Sequence, residues 1–162
     1  MTDYSELRNK KVIAVCCGSM PSDAEKKLAY ETGREVAKAG AILVCGGLGG
    51  SMEEACRGAN EEGGITIGIL PTYEKDTAND YVDIVIPTGL SHARNTLVVS
   101  SADGVIGVGG SWGTLSELSI AIPLGKIVVS LDGWNPESKY AKKPGIKVAE
   151  TPEEAVRLAL GM

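Results

Sequence analysis

The sequence predicts an α/β protein with a Rossmann-like, doubly wound fold, in which a mostly parallel sheet carries helices on both faces. Short apolar runs alternate with helical segments of roughly 10–17 residues, as in βαβ units. Glycine-rich turns follow predicted strands and precede predicted helices at residues 46–50 and 109–113. The length of 162 residues suits a single Rossmann-like domain over residues 1–162, because a chain of this size can bury one good core.

The apolar runs place the predicted strands in chain order. The first covers residues 11–17 and the second covers residues 41–45. The third covers residues 65–70 and ends at Pro71, which cannot donate to a sheet ladder. The remaining predicted strands cover residues 82–86, 105–108, 126–131 and 146–148.

Four predicted helices begin with a serine or threonine that is followed three residues later by glutamate. This is the spacing of a capping box, in which side chains satisfy the unpaired N–H groups of a helix start. The pairs are Ser22/Glu25, Ser51/Glu54, Thr114/Glu117 and Thr151/Glu154. The spacing by itself accounts for Glu117 as the capping partner of Thr114.

The fifth predicted helix, residues 91–101, breaks this pattern. It begins Ser-His-Ala-Arg, so Arg94 falls in the first turn, where the helix dipole disfavours a cation by about 0.3–1 kcal/mol. This placement favours a contact between Arg94 and an anion, because Arg94 follows a strand at the same sheet edge as the glycine turns. Alternatively, Arg94 lies on the surface, or it forms a structural pair with Asp103 or Glu117.

The ligand site is predicted at this sheet edge. The turn at residues 109–113 joins a buried strand to a helix N-terminus, so several free N–H groups and the helix dipole favour a phosphate there. Ligands of such sheets bind outside the carboxyl ends of the strands. The polar loop at residues 71–80 is expected to cover the site. The residues predicted to bind the phosphorylated ligand are Gly18, Ser19, Gly46, Gly47, Gly110, Ser111, Gly113 and Thr114.

Two further side chains near this site have open interpretations. Trp112, a large aromatic inside the glycine turn, is expected either to stack on a ring of the ligand or to pack against a neighbouring subunit. His92 is interpreted as a partly exposed, structural histidine.

Composition excludes several classes of protein. A net charge of −5 without a basic stripe argues against nucleic acid as the partner. No apolar run approaches the ~18 residues of a membrane helix and no signal peptide is recognised, so a cytoplasmic protein without membrane contact is expected. The four cysteines include no Cys-x-x-Cys and the chain has one histidine, so buried thiols are predicted and no metal site. Neighbouring Cys16 and Cys17 are predicted to point to opposite faces of the sheet.

A family resemblance rests on two segments. Residues 110–117, Gly-Ser-Trp-Gly-Thr-Leu-Ser-Glu, resemble the P-G-G-x-G-T-x-x-E motif of the LONELY GUY phosphoribohydrolases, which have also been labelled lysine decarboxylases. Arg94 matches the arginine of that family's second motif. A closer likeness, over roughly residues 11–130, is to the molybdenum-cofactor carrier proteins and their prokaryotic relatives, carried by the segments at residues 46–59, 64–71 and 91–95.

The resemblance implies two alternative functions. As a phosphoribohydrolase, the protein would cleave the N-glycosidic bond of a nucleoside 5′-monophosphate to base and ribose 5-phosphate without a cofactor. Arg94 and Glu117 would then be the catalytic pair. As a carrier, it would bind a phosphorylated pterin, the molybdenum cofactor, as cargo without turning it over, and the carriers share the same arginine and glutamate. Gly109 and Ser111 replace a proline and a glycine of the motif, which would reshape the turn for a bulkier ligand.

The resemblance also implies a homo-dimer or homo-tetramer. The helices at residues 91–101 and 114–124 are the expected interface, because both carry apolar residues on more than one face, such as Val98, Val99, Ile120 and Ile122. Within the helix at 91–101, Leu97 and Val98 are predicted to point inward. Lysine decarboxylation is not expected. It ordinarily needs an electron sink such as pyridoxal phosphate bound to a lysine, and Lys126 and Lys147 lie in ordinary predicted strands. A dinucleotide dehydrogenase fits poorly, because residues 46–50 lack the G-x-G-x-x-G spacing.

Overall fold

The computed structural model describes residues 4–141 and 145–162 and contains a seven-stranded sheet. All six strand pairings are parallel, and the strand order is β4-β3-β2-β1-β5-β6-β7. The strands are β1 (Val12–Cys16), β2 (Ile42–Cys45), β3 (Thr66–Leu70), β4 (Ile84–Pro87), β5 (Gly104–Val108), β6 (Ile127–Leu131) and β7 (Lys147–Ala149). The predicted Rossmann-like fold is confirmed, and the predicted parallel sheet is parallel throughout the described residues.

The order of the strands in the sheet reverses at β1 and β5. Strands β2, β3 and β4 are added in turn on one side of β1, whereas β5, β6 and β7 are added in turn on its other side. The register pairs Ile13 with Gly104 and Cys16 with Gly107, so β1 and β5 lie side by side in the middle. Connections that leave these two strands toward opposite faces open a crevice at their carboxyl ends.

The helices divide between the two faces of the sheet as predicted. They are α1 (Tyr4–Arg8), α2 (Asp23–Lys38), α3 (Ser51–Glu61), α4 (Asn95–Ser100), α5 (Trp112–Ala121) and α6 (Pro152–Ala159). Helices α2, α3 and α6 pack in one apolar cluster with Ile13 and Val15, whereas α4 and α5 pack in the other with Ala14 and Cys16. This alternation along β1 follows the two-residue period of a strand.

The start of the fourth strand is later than predicted. Pairing begins at Ile84 instead of residue 82, because the Asp83 side chain occupies the edge of the ladder. Its carboxylate accepts hydrogen bonds from the Thr66 N–H at 2.8 Å and the Thr66 hydroxyl at 3.0 Å.

Of the four predicted capping boxes, one forms in full, one forms only its threonine half and two are wrong. The Ser22/Glu25 box forms in full, and Thr151 caps α6 by accepting from the Glu154 N–H. Ser51, by contrast, lies inside α3, whose N-cap is Gly50 in the left-handed region at φ +69°. Thr114 lies inside α5, whose N-cap is Ser111. The Ser111 backbone is extended, and its hydroxyl accepts from the Thr114 N–H at 3.1 Å. Glu117 is therefore free of the capping role that its spacing indicated.

The helix predicted at residues 91–101 is shorter and differently buried. A 3₁₀ turn, Ser91–Arg94, precedes α4, and the buried apolar residues of this helix are Val98 and Val99. Leu97 is 38% exposed, so its predicted place in the core is wrong, and Val98 and Val99 cannot contact another subunit because they are fully buried.

The close packing of α2 on α3 sets the position of one cleft wall. A β-carbon at Gly33 would lie 1.9 Å from the carbonyl oxygen of Ala55, so only glycine allows this approach. The N-terminus of α3 is then fixed to the turn after β1, because the Ser51 N–H donates to the carbonyl of Gly18 at 2.9 Å. The sheet and helices thus bring the turns after β1 and β2 together.

The predicted burial of the cysteines is confirmed. All four cysteines are buried thiols, with Cys16 and Cys17 on opposite faces of the sheet. Within residues 4–141 and 145–162, no helix has the length and apolar character needed to cross a bilayer.

Candidate functional site

A cleft of about 480 Å³ lies at the carboxyl ends of β1 and β5. Three loops form it: the turn after β1, the glycine loop after β2 and the glycine turn after β5. Eight of the ten residues predicted for the site line this cleft, which are Gly18, Ser19, Gly46, Arg94, Gly110, Ser111, Gly113 and Glu117. Parallel connectivity explains the convergence, since every one of these loops leaves the same edge of the sheet.

The other two predicted residues lie behind the cleft surface. Gly47 has φ +76°, and a β-carbon there would lie 2.7 Å from the Leu70 side chain, so the residue packs toward β3. Thr114 is 1% exposed, and its hydroxyl hydrogen-bonds the Ser111 hydroxyl at 2.8 Å. Both residues shape the loops and do not present a group to the cleft.

The N-terminus of α5 lies at the cleft, which Gly110, Ser111 and Gly113 line. Ser111 satisfies the Thr114 N–H, and Gly110 donates a long hydrogen bond of 3.4 Å to Glu25. Within residues 4–141 and 145–162, the N–H groups of Trp112 and Gly113 have no hydrogen-bond partner. Unpaired donors at a helix N-terminus, combined with the helix dipole, favour binding of an anion.

Arg94 is buried at the cleft with its guanidinium held by main-chain oxygens. Its Nε donates to the carbonyl of Ile69 at 2.9 Å, Nη2 donates to the carbonyl of Gly46 at 3.4 Å, and Nη1 donates to the Asn95 side chain. Among the described residues, no carboxylate forms a salt bridge with it. The predicted alternative of a pair with Asp103 is wrong, because Asp103 pairs with Lys11 at 3.7 Å.

Glu117 is buried in the same cleft, 6% exposed. Burial raises its pKa from 4.5 to about 7, although the positive charge of Arg94 and a hydrogen bond from the Cys16 thiol partly oppose this. Burial and the Glu117 charge in turn raise the pKa of Cys16 well above its ordinary value, so this thiol stays protonated and donates. A carboxyl group with a pKa near neutrality can exchange a proton during a reaction.

Several lining residues were missed by the sequence analysis. Glu25 and Asn95 add polar groups, and Val15, Leu48 and Met52 add an apolar wall. Glu25 carried a sequence signal only as the capping partner of Ser22. Its place in the cleft depends on the contact with Gly110, which is 85 residues away in the chain.

Trp112 and Trp134 form an aromatic pair beside the glycine turn. Their ring centroids lie 5.0 Å apart with the planes tilted by 37°. Trp134 donates from its indole N–H to the carbonyl of Ser111 at 2.8 Å, so it braces the N-cap of α5. Trp112 remains 77% exposed, so its side chain is accessible for either predicted contact, with a ring of the ligand or with a neighbouring subunit.

The loop at residues 71–80 does not cover the cleft. It packs on the outer side of the glycine loop, where Asn79 donates to the carbonyls of Gly47 and Leu48, both at 2.9 Å. None of its described residues belongs to the cleft lining, whereas the exposed His92 does. The loop therefore supports the site from behind.

Comparison with known proteins adds one family match and two similar sequences. Residues 10–156 match the family model described as the SLOG cluster4 family. An uncharacterized protein of Archaeoglobus fulgidus is 44% identical over 138 residues, which cover 83% of this chain and 84% of that protein. A probable cytokinin riboside 5′-monophosphate phosphoribohydrolase of Oryza sativa subsp. japonica is 28% identical over 139 residues, or 83% of this chain, which span only 57% of the rice protein.

A solved structure provides a further likeness. The molybdenum cofactor binding protein from the phototrophic bacterium Rippkaea orientalis superimposes with a TM-score of 0.84 at 33% identity. The match covers 94% of this chain and 97% of that one.

Proposed function

This chain belongs to the SLOG cluster4 family, and from that premise we propose that its cleft binds a nucleoside 5′-monophosphate and hydrolyses the N-glycosidic bond. The products would be a free base and ribose 5-phosphate. The observation that carries this proposal is Glu117: a buried carboxyl group at the cleft, with no capping role and with its pKa raised to about 7.

Phosphate binding is assigned to the start of α5. The unpaired N–H groups of Trp112 and Gly113 give the anion its donors, and the helix dipole adds a favourable field. Arg94 contributes a buried positive charge without a salt-bridge partner among the described residues. A buried charge of this kind is costly unless a ligand compensates for it, which supports an anionic ligand.

Glu117 would act on the ribose carbon of the bond that breaks. As the C1′–N bond breaks, its electron pair leaves with the base and the sugar gains cationic character, which an ionised carboxylate stabilises. Water adds its oxygen to C1′, Glu117 accepts one water proton, and that proton is passed to the nitrogen of the departing base. Arg94 keeps Glu117 partly ionised near neutral pH, because its positive charge lowers the pKa that burial raises.

The test compares the wild type with Glu117→Gln in an incubation with AMP. We expect the wild type to release adenine and ribose 5-phosphate in equal amounts. The variant should release adenine at least about 100-fold more slowly, the usual loss on removing a general acid–base group. AMP binding, measured by calorimetry, should be retained. Equal release rates would remove Glu117 from the reaction.

Binding of a phosphorylated pterin is the second candidate, and the likeness to the Rippkaea orientalis molybdenum cofactor binding protein supports it. The same cleft would hold the cargo by its phosphate without turnover, and no resident cofactor would be needed. If the wild type releases no base from any nucleoside monophosphate yet binds a pterin phosphate tightly, this carrier function replaces the hydrolase.

A further inference from the structure

The carboxylate of Glu25 lies directly against the glycine turn of the cleft. Its Oε1 accepts the hydrogen bond from the Gly110 N–H at 3.4 Å. A β-carbon at Gly109 would lie 2.3 Å from the same Oε1, so the carboxylate occupies space beside the turn that only glycine leaves free. The cleft that offers donors to an anion therefore contains the Glu25 carboxylate in addition to the carboxyl group of Glu117.

The two oxygens of Glu25 have separate partners. Oε2 accepts from the Ser22 N–H at 2.8 Å and from the Ser22 hydroxyl at 2.9 Å, which completes the capping box of α2. Within the described residues, Oε1 has only the long bond from Gly110. The bonds from the Ser22 N–H and hydroxyl, together with the weaker one from Gly110, lower the pKa of Glu25, so the group is ionised at neutral pH.

We propose that Glu25 is a built-in competitor for the anion site, and that a phosphorylated ligand must displace Oε1 from the Gly110 N–H in order to bind. The proposal rests on the function proposed above. Because Oε2 keeps its bonds to Ser22, Oε1 can leave the turn while the cap of α2 remains intact.

The consequence is selectivity for a ligand with more than a phosphate. A free anion contacts only the glycine turn, and those contacts alone must overcome the repulsion by the Glu25 charge. A phosphate monoester has additional contacts with the apolar wall of Val15, Leu48 and Met52. Those contacts would offset the displacement of Glu25, so the monoester should bind more tightly than inorganic phosphate.

Glu25→Gln isolates this effect. The single oxygen of glutamine stays with Ser22, because glutamine serves at this capping position. Its NH₂ group then faces Gly110 and cannot accept from the N–H, which becomes available to a ligand. The matched control is Glu154→Gln, which alters the same capping position of α6, where Glu154 accepts from the Glu150 N–H at 2.8 Å away from the cleft.

Inorganic phosphate and AMP are titrated calorimetrically against the wild type and both variants at low salt. We expect Glu25→Gln to bind each probe roughly ten-fold more tightly than the wild type, as removal of a nearby like charge implies. Glu154→Gln should bind as the wild type does. The advantage of Glu25→Gln should shrink at about 1 M NaCl, where the Debye length is about 3 Å.

The outcomes separate this inference from the proposed function. If the wild type and Glu25→Gln bind AMP with equal affinity, the competitor role is wrong while the phosphate site stands. If Glu25→Gln binds more weakly, Glu25 contacts the ligand favourably and the competitor role is again overturned. If neither protein binds either probe, the phosphate site itself is wrong, and the competitor role fails with it.

Discussion

A β-carbon at position 46 would lie 2.6 Å from Nη2 of Arg94, so the guanidinium occupies the space that Gly46 leaves open. We expect Gly46→Ala to push the Arg94 side chain away from the carbonyl of Gly46. Binding of AMP should weaken by about the factor that loss of Arg94 itself produces, roughly 10–100-fold. Calorimetric titration measures the change.

Gly49→Ala is the matched control for this substitution. Gly49 lies in the same loop, and the nearest atom to a β-carbon there is a Glu53 carboxylate oxygen at 3.9 Å. We expect AMP binding to be unchanged. If Gly46→Ala also binds AMP as the wild type does, Gly46 does not position the guanidinium for the ligand.

The Arg94 guanidinium should not be replaceable by another cation. Arg94→Lys keeps the charge, but one ammonium group cannot reach the carbonyls of Ile69 and Gly46 in the directions that Nε and Nη2 do. We expect Arg94→Ala to weaken AMP binding roughly 10–100-fold and Arg94→Lys to recover only part of this. If Arg94→Lys binds AMP as tightly as the wild type, only the positive charge of Arg94 contributes to binding.

The rate of the proposed reaction should depend on the ionisation of Glu117. Because the ionised carboxylate is the active form, kcat/KM for AMP should rise with pH and level off above about 7. Cys16→Ala removes a hydrogen bond that lowers the pKa of Glu117, so the rise should move to higher pH. A rate independent of pH between about 6 and 8 would exclude Glu117 as the titrating group.

Glu117 should also make the free energy of unfolding depend on pH. Its pKa is about 7 in the folded protein and near 4.5 when exposed, so between these values the folded state binds more protons than the unfolded state. The contribution to stability is complete below pH 4.5 and is lost as pH rises through 7, a change of roughly 3 kcal/mol.

Glu117→Gln should remove this dependence. Urea unfolding should find the variant more stable than the wild type at alkaline pH, by up to roughly 3 kcal/mol, and similar near pH 4.5. A variant less stable than the wild type at alkaline pH would mean that the charge of Glu117 stabilises the fold through Arg94.

Self-association remains a prediction, with a revised set of contact residues. Since Val98 and Val99 are buried, the exposed leucines on this side are Leu90, Leu97 and Leu124. Light scattering should give a particle larger than the 16.8 kDa of one chain, and Leu97→Asp with Leu124→Asp should reduce its size. Tyr4→Asp, at an exposed site on α1, is the control; a single-chain mass for the wild type would reject the assembly.

The sequence by itself determined the sheet and the location of the cleft. Buried strands and glycine turns are local patterns, and parallel connections force the turns after β1, β2 and β5 to the same sheet edge. Six of the cleft-lining residues, Gly18, Ser19, Gly46, Gly110, Ser111 and Gly113, lie in these turns or directly after them. One error arose where two local patterns competed, because Ser111 and Thr114 both match an N-cap.

The tertiary structure alone decided what the site residues touch. Arg94 meets the carbonyl of Gly46, 48 residues away, and Glu25 meets Gly110, 85 residues away, and no local pattern encodes either contact. The burial that raises the pKa of Glu117 depends likewise on the packing of α5 against β1. Desolvation and long-range contacts are properties of the packed chain, whereas turns and caps depend on a few neighbouring residues.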